Sequence, residues 1–121
     1  MAAPNIRNPS SLIGKTSITA NISVSLSPIL LNGASSGDVY KINSIFAANR
    51  TGSNSTVDIA LNNGSTTAYL AYNINVPAEA TQIISTKETY FYLEEGWSIQ
   101  ARAGSSNYID VIISYEEISN S

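Results

Sequence analysis

The feature that most constrains this chain is a two-residue alternation of apolar and polar side chains that recurs along most of its length. The even-numbered positions from 18 to 26 are all apolar, namely Ile18, Ala20, Ile22, Val24 and Leu26. The odd-numbered positions between them hold Thr, Asn or Ser. Helical spacing of three and four residues never continues beyond one turn. This pattern predicts half-buried β-strands and no long helix.

Turn-forming residues divide the alternating segments at intervals of about ten residues, as in a sandwich or jelly roll. Pro28 predicts an edge strand or a bulge, and Asn63-Gly64 predicts a β-hairpin. The other predicted strands cover 39–49, 56–61, 67–76, 81–86, 90–93, 98–103 and 108–115. The sequence therefore predicts an all-β fold, an antiparallel β-sandwich of about eight strands that resembles a jelly roll.

Alternation also predicts which face of each long strand is buried. In the strand over 39–49 the predicted core residues are Tyr40, Ile42, Ser44, Phe46 and Ala48. In the strand over 67–76, the residues Leu70, Tyr72, Ile74 and Val76 share one face, and Tyr69 lies on the other. Because aromatic residues occupy both faces of this strand, we expect both of its faces to contact protein.

A chain of 121 residues is long enough to form one domain with its own core. We expect a single β-sandwich domain over residues 12–117. Residues 1–11, which contain Pro4 and Pro9 and few charges, are predicted to form an extended arm that lies on a neighbouring subunit. Residues 118–121 are predicted to be a frayed tail.

Low charge limits the kinds of partner that this chain can have. Charged residues make up 12% of it, against about 25% in a typical domain. A surface rich in Ser, Thr and Asn suits flat contact with other protein subunits. The six basic residues are scattered, which predicts no nucleic-acid partner. Apolar runs are too short to span a bilayer, and the first residues do not form a secretory signal, so we expect no membrane partner.

The residues that usually carry catalysis are missing or badly spaced. The chain contains no His and no Cys, so a serine nucleophile has no imidazole base and no thiolate metal site can form. Gly14-Lys15-Thr16 resembles the end of a phosphate-binding loop, but position 9 is Pro9 where that loop needs Gly. The acidic residues lack the spacing of a calcium loop. We therefore expect a protein that is not an enzyme and that holds no metal or cofactor.

Tyrosine is the conspicuous residue, with seven copies beside two Phe and one Trp. Its ring is apolar and its hydroxyl polar, a combination common at protein interfaces. We expect about half of the tyrosines in the core and half in contact with partners. The predicted contact residues are Pro4, Ile6, Arg7, Tyr69, Tyr90, Tyr92 and Trp97. A carbohydrate-binding platform uses the same residue types, so host-surface glycan binding stays open as a function of another class.

Seven short blocks spread over nearly the whole chain resemble small virion structural proteins of tailed bacteriophages, particularly cyanophages. The blocks are Ala2–Ile6, Ile13–Thr16, Gly37–Asn43, Ala48-Asn49, Val76–Ala78, Tyr92–Gly96 and Ser114–Ser119. The resemblance implies a β-sandwich in the virion and no catalytic role. Related domains carry Gly-Asp-x-Ile where this chain has Gly96-Trp97-Ser98-Ile99. At that turn we expect Trp97 to contact a partner or to cover the end of the sandwich, and the alternative is that it plugs the core.

Together these observations predict a capsid decoration or cement protein, made in the host cytoplasm, that binds the outside of the phage head and stabilises it. The expected partner is the major capsid protein, and the expected assembly is a homo-oligomer, with a trimer favoured. A position in the neck, the tail or a fibre-associated ring fits the same residues.

Overall fold

A computed structural model describes residues 11–105 and 108–119, and these ranges form nine strands and one short 3₁₀ turn, Lys87–Thr89. The strands are β1 (Ser11–Thr19), β2 (Ser27–Leu31), β3 (Asp38–Asn49), β4 (Ser55–Asn62), β5 (Thr67–Val76), β6 (Thr81–Ser85), β7 (Phe91–Leu93), β8 (Ser98–Ala103) and β9 (Ile109–Ser119). The predicted all-β class is confirmed. Within the described ranges, no helix has the length and apolar character needed to cross a membrane.

Every strand pair is antiparallel, and the strands form two sheets. Sheet A has the order β1-β9-β3-β6, with β7 also paired to β3, and sheet B has the order β2-β8-β4-β5. Since β6 pairs with Phe46 and its neighbours and β7 pairs with Tyr40–Ile42, the two short strands lie end to end along one edge of β3. Counted as one interrupted strand, they complete the eight-strand order of a jelly roll, as predicted.

The core lies between the two sheets and consists mainly of β-branched aliphatic side chains. Its fully buried members include Ile42, Ile45, Val57, Ile59, Val76, Leu93, Ile99, Ile109, Val111 and Ile113. In β9 the side chains alternate regularly, because Ile109, Val111 and Ile113 all face the core. Burial of these side chains between two sheets is the main stabilising contribution to the fold.

Two predicted signals near turns are confirmed in the structure. Strand β2 is an edge strand whose register shifts between Pro28 and Leu30, as the position of Pro28 predicted. Strands β4 and β5 form the predicted hairpin. Its loop is longer than the two-residue turn that Asn63-Gly64 favours, because the last pair is Asn62 with Thr67. The Asn63 side-chain oxygen accepts the backbone N–H groups of Ser65 and Thr66, which stabilises this loop.

The predicted strand over 18–26 is wrong. Strand β1 ends at Thr19, and Asn21 adopts a left-handed conformation with φ of 54°. Its backbone N–H donates to the Asp110 carboxylate at 2.8 Å, which turns the chain across the end of the sandwich. Ile22 is then buried against that end, 3% exposed, with its N–H bonded to the Ile109 carbonyl. Burial in this segment therefore does not follow the alternation, because Ile22 is buried whereas Ile18 and Val24 are 74% and 53% exposed.

The predicted domain limits also need correction. Strand β9 continues through Ser119, and Ile118 is only 4% exposed, so residues 118 and 119 belong to the domain and do not form a frayed tail. Both pair with strands on either side, β1 and β3, which holds them in the sheet. At the other end Ser11 is the first residue of β1 and pairs with Ser119. The remainder of the predicted arm and tail, residues 1–10 and 120–121, lies outside the described residues.

Bulges overturn the predicted faces of two strands. The register of β3 shifts between Ile42 and Ser44, so Ile45 and Ala47 face the core, and Ser44, Phe46 and Ala48 do not. Because side chains alternate with a period of two, one extra residue reverses the faces of everything that follows. Asn43 is the extra residue, and its side-chain oxygen is buried without a hydrogen-bond partner in the described structure.

Strand β5 is irregular in the same way. Its pairing with β4 shifts register at two places, between Val57 and Ile59 and between Ile59 and Ala60. As a result Ile74 and Val76 share a face as predicted, and that face packs on the core, whereas Tyr72 leaves it and is 62% exposed and Leu70 is 44% exposed. The two bulges thus decide which aromatic side chains reach the surface of sheet B.

Buried asparagines hold both ends of the sandwich. Asn32, fully buried, donates its side-chain amide to the carbonyls of Asp38 and Leu93, each at 3.0 Å, and accepts the Ser36 hydroxyl at 2.7 Å. At the opposite end Asn49 donates to the carbonyls of Ser53 and Val76. Three of these four carbonyls belong to the terminal residues of strands, and each bond gives a polar group near a strand end a partner, as buried polar atoms require.

Candidate interaction surfaces

A row of four large apolar side chains crosses the outer face of sheet A. Ile18 pairs with Ile112, Ile112 with Phe46, and Phe46 with Ile83, so the four residues lie side by side on four adjacent strands. We call this set the apolar row. Ile18 is 74% exposed and Ile83 is 53% exposed, and the two central residues are half-buried. A solvated sheet face normally carries polar residues, so this row is unusual.

The direction of the apolar row follows from its chain neighbours. Val111 and Ile113, on either side of Ile112, are both buried in the core, as are Ile45 and Ala47 on either side of Phe46. Since successive residues of a strand point to opposite faces, Ile112 and Phe46 point away from the core. The apolar row therefore faces outwards across the full width of the sheet.

Uncharged side chains border the apolar row. On one side lie Thr16, Ser114 and Ser44, which pair in register across β1, β9 and β3. On the other side lies the charged residue Asp110, whose carboxylate is already bound by another side chain. Its carboxylate accepts Arg50 Nε at 2.8 Å, and the same arginine bonds the Asn21 side chain. The middle of this face therefore offers hydroxyls and hydrocarbon to a partner.

Tyr90 and Tyr92 lie together on the same outer face of sheet A, further along the strands. Their ring centroids are 5.8 Å apart with the planes at 76°, and Lys41 Nζ lies 4.4 Å from the Tyr90 ring centroid. Tyr92 and Lys41 are paired residues of β7 and β3. This edge-to-face pair with a cation over one ring is typical of stabilising aromatic contacts. Two of the seven predicted contact residues, Tyr90 and Tyr92, thus share one face with the apolar row.

Strand β1 is an edge of sheet A, and its outer side pairs with no other strand in the described residues. Leu12 and Ile13 are 57% and 49% exposed. Lys15, its basic residue, is bound to the Glu117 carboxylate at 2.6 Å. The hydrogen bond to that carboxylate raises the pKa of the Lys15 ammonium. An open apolar edge of this kind is a ready site for pairing with another chain.

The outer face of sheet B carries a different cluster, in a depression of about 430 Å³. Asp58, 7% exposed, accepts Arg102 Nε at 2.5 Å and the Asn73 backbone N–H at 2.5 Å. The Arg102 guanidinium lies 5.9 Å and 6.0 Å from the ring centroids of Tyr69 and Tyr72. These two rings meet edge to face, 5.0 Å apart at 83°. The hydrogen bond to Asp58 raises the pKa of Arg102, so that guanidinium stays charged.

Trp97 lies apart from the clusters on the outer faces of sheets A and B. It is half-buried and packs on the core at the turn before β8, and its carbonyl accepts the Asn32 backbone N–H at 2.9 Å. This packing is consistent with the expected covering of the sandwich end. The indole therefore does not form an open platform with the exposed tyrosines, which are also far from coplanar with one another.

The predicted contact residues consequently divide among several places. Tyr90 and Tyr92 come together on sheet A, and Tyr69 lies on sheet B. Pro4, Ile6 and Arg7 lie outside the described residues. The apolar row was missed because Phe46 was assigned to the core. The bulge at Asn43 that turns Phe46 outwards appears only when β3 is paired with β9, so the sequence carried no signal for it.

The cluster on sheet B was missed as well. Asp58, Arg102 and Asn73 are far apart in sequence, and only the pairing of β4 with β5 and β8 brings them together. Within the described ranges, no three His, Cys, Asp or Glu side chains are grouped as a metal site. No protein-family model matches this sequence, and a search of curated proteins found no match.

Proposed function

We propose that this protein is a non-enzymatic structural component of a phage virion, and that it binds the outside of the head as a decoration protein. Two features support the proposal. The sequence blocks from Ala2–Ile6 to Ser114–Ser119 resemble virion structural proteins. The jelly-roll order of the strands is an architecture that viral capsid and lectin domains use.

The observation that carries the proposal is the apolar row of Ile18, Ile112, Phe46 and Ile83 on an exposed face. Exposed apolar patches of this kind mark contact sites, because each buried Å² of apolar surface stabilises a complex by about 25 cal/mol. A row that lies on four of the five strands of sheet A suits a flat partner such as a shell. The proposed partner is the major capsid protein.

The chemistry around the apolar row indicates what the partner surface is like. Hydroxyl side chains border it, and the nearest carboxylate, Asp110, is bound to Arg50. The matching surface is therefore apolar and uncharged. Attachment through such a contact depends little on ionic strength, unlike attachment through opposite charges. A homo-oligomer, with the trimer favoured, completes the proposal, and the open edge of β1 offers one place for contact between copies.

Substitution of Ile83 or Ile18 by aspartate tests the apolar row. Both side chains are more than half exposed, so we expect either variant to fold with an unchanged melting temperature. A charge in the contact must be desolvated on binding, so attachment to phage heads that lack the protein should fall at least tenfold in a co-sedimentation assay. We expect wild-type attachment to survive 0.5 M NaCl.

Leu31→Asp is the matched control, because Leu31 is 60% exposed and belongs to β2 of the other sheet. It should bind heads as the wild type does. Equal attachment by Ile83→Asp and wild type would contradict the role of sheet A.

The copy number per virion separates the head from the alternative position in the neck or tail. A number comparable to that of the capsid protein supports the head, and a single ring of copies supports the alternative.

A further inference from the structure

We infer that the depression on the outer face of sheet B is a binding site for an uncharged saccharide. Its lining combines an ion pair, Asp58 with Arg102, and the exposed ring of Tyr72, with Thr56 and Asn73 beside them. This inference goes beyond the proposed function, since it concerns the face opposite to the apolar row.

The shape and size of the depression suit one or two sugar rings. At about 430 Å³ it falls in the lower part of the range of roughly 300–1,000 Å³ that small-molecule sites occupy. It is open to solvent on one side, so a terminal unit of a longer glycan can enter while the rest of the glycan remains outside. Tyr72, 62% exposed, lines this depression.

The charges in the depression select against ionic ligands. The Asp58 carboxylate and the Arg102 guanidinium neutralise each other at 2.5 Å. An anion bound to Arg102 would lie next to the Asp58 carboxylate and be repelled by it. A cation bound to Asp58 would be repelled by the Arg102 guanidinium. A neutral ligand meets neither penalty, and hydroxyl groups can use the dipoles of the pair.

Hydrogen-bonding capacity is left over for such a ligand. Arg102 uses Nε on Asp58, and within the described residues its two terminal nitrogens donate to no side chain or carbonyl. The Asn73 and Thr56 side chains line the same space, so amide and hydroxyl groups that both donate and accept are at hand. Sugar hydroxyls both donate and accept, and the C–H face of a pyranose packs on the electron-rich face of a tyrosine ring.

The backbone of β5 is irregular beside the depression. Asn73 has φ of 55°, a left-handed conformation that is uncommon outside glycine, and its N–H is held by Asp58. Both register shifts between β4 and β5 occur around Asp58 and turn Tyr72 outwards. Bulges and strained residues of this kind concentrate at functional sites, where they redirect side chains.

The test uses the full chain and an array of immobilised oligosaccharides that covers neutral hexoses, N-acetylhexosamines and deoxyhexoses together with sialylated and uronic-acid sugars. We expect binding to one neutral class, with a dissociation constant near 1 mM for the free oligosaccharide in an NMR titration, a level typical of a weak single site. Tyr72→Ser should weaken that binding at least tenfold. Arg102→Lys, which keeps the charge beside Asp58 but removes the planar fork, should also weaken it.

Tyr90→Ser is the matched control, since Tyr90 is 47% exposed and lies on sheet A. It should bind the sugar as the wild type does, and all variants should keep the wild-type melting temperature. Any of three results overturns the inference: no binding on the array or in the titration, binding that Tyr72→Ser leaves intact, or a preference for acidic sugars that disappears in 0.5 M NaCl. Attachment to phage heads is measured separately and is expected to be unchanged in Tyr72→Ser.

Discussion

Replacement of Asn32 by alanine is expected to lower the free energy of unfolding by about 3–5 kcal/mol, because three buried or partly buried groups lose their partner at about 1–3 kcal/mol each. These groups are the carbonyls of Asp38 and Leu93 and the hydroxyl of Ser36. Asp38 and Leu93 are terminal residues of β3 and β7, and water has no access to the Asn32 side chain, which is 0% exposed. Urea unfolding followed by tryptophan fluorescence measures the change, since Trp97 borders the same turn.

Asn54→Ala is the control for this substitution. Asn54 is exposed and accepts one hydrogen bond, from the Ala78 backbone N–H at 2.9 Å, so its loss should cost about 1 kcal/mol or less. An equal effect of the two substitutions would mean that the amide of Asn32 contributes no more than a surface turn. The interpretation of Asn32 as the group that joins β2, β3 and β7 would then be wrong.

The sequence contained enough information for the class of fold and the approximate strands. Alternation of apolar and polar residues is a direct consequence of two stacked sheets, so it survives in every strand that is regular, as in β9 with Ile109, Val111 and Ile113. Local turn chemistry was equally readable, because Pro28 and Asn63-Gly64 act through their own backbone preferences. These signals depend on neighbouring residues alone.

Bulges were not predictable in this way. A bulge appears only when a strand is paired, since it is defined by two residues opposite one. In β3 the extra residue Asn43 reverses the faces after Ile42, and in β5 the irregular pairing turns Tyr72 outwards. Both candidate surfaces depend on these reversals. The parts of the molecule that alternation assigned wrongly are therefore the parts on which the functional proposals rest.

Asn32 shows a second limit of prediction from the sequence. In sequence it begins a cluster of Gly and Ser that is typical of an exposed turn. Its burial arises because the start of β3, the end of β7 and the turn before Trp97 converge at one end of the sandwich. Nothing within the local window distinguishes it from Asn54, whose side chain lies on the surface.

Two adjacent residues of β9 should lose very different amounts of stability on the same substitution. Ile113 is 1% exposed between the sheets, so Ile113→Ala should cost about 3–4 kcal/mol of unfolding free energy, within the range measured for such cavities. Ile112 lies in the apolar row on the outer face, so Ile112→Ala should cost under about 1 kcal/mol. Chemical denaturation of the two variants against wild type measures both values.

In an assay of attachment to phage heads, Ile112→Ala should have the larger effect and Ile113→Ala the smaller. Ile112→Ala removes apolar area from the proposed contact and should weaken attachment about tenfold, equivalent to about 1.4 kcal/mol. Ile113→Ala, assayed under conditions where it remains folded, should attach normally because its side chain never reaches the outer face. Suppose instead that Ile112→Ala destabilised the free protein as much as Ile113→Ala does. Its side chain would then already be buried in the free protein, and the outer face of sheet A would not be open to a capsid.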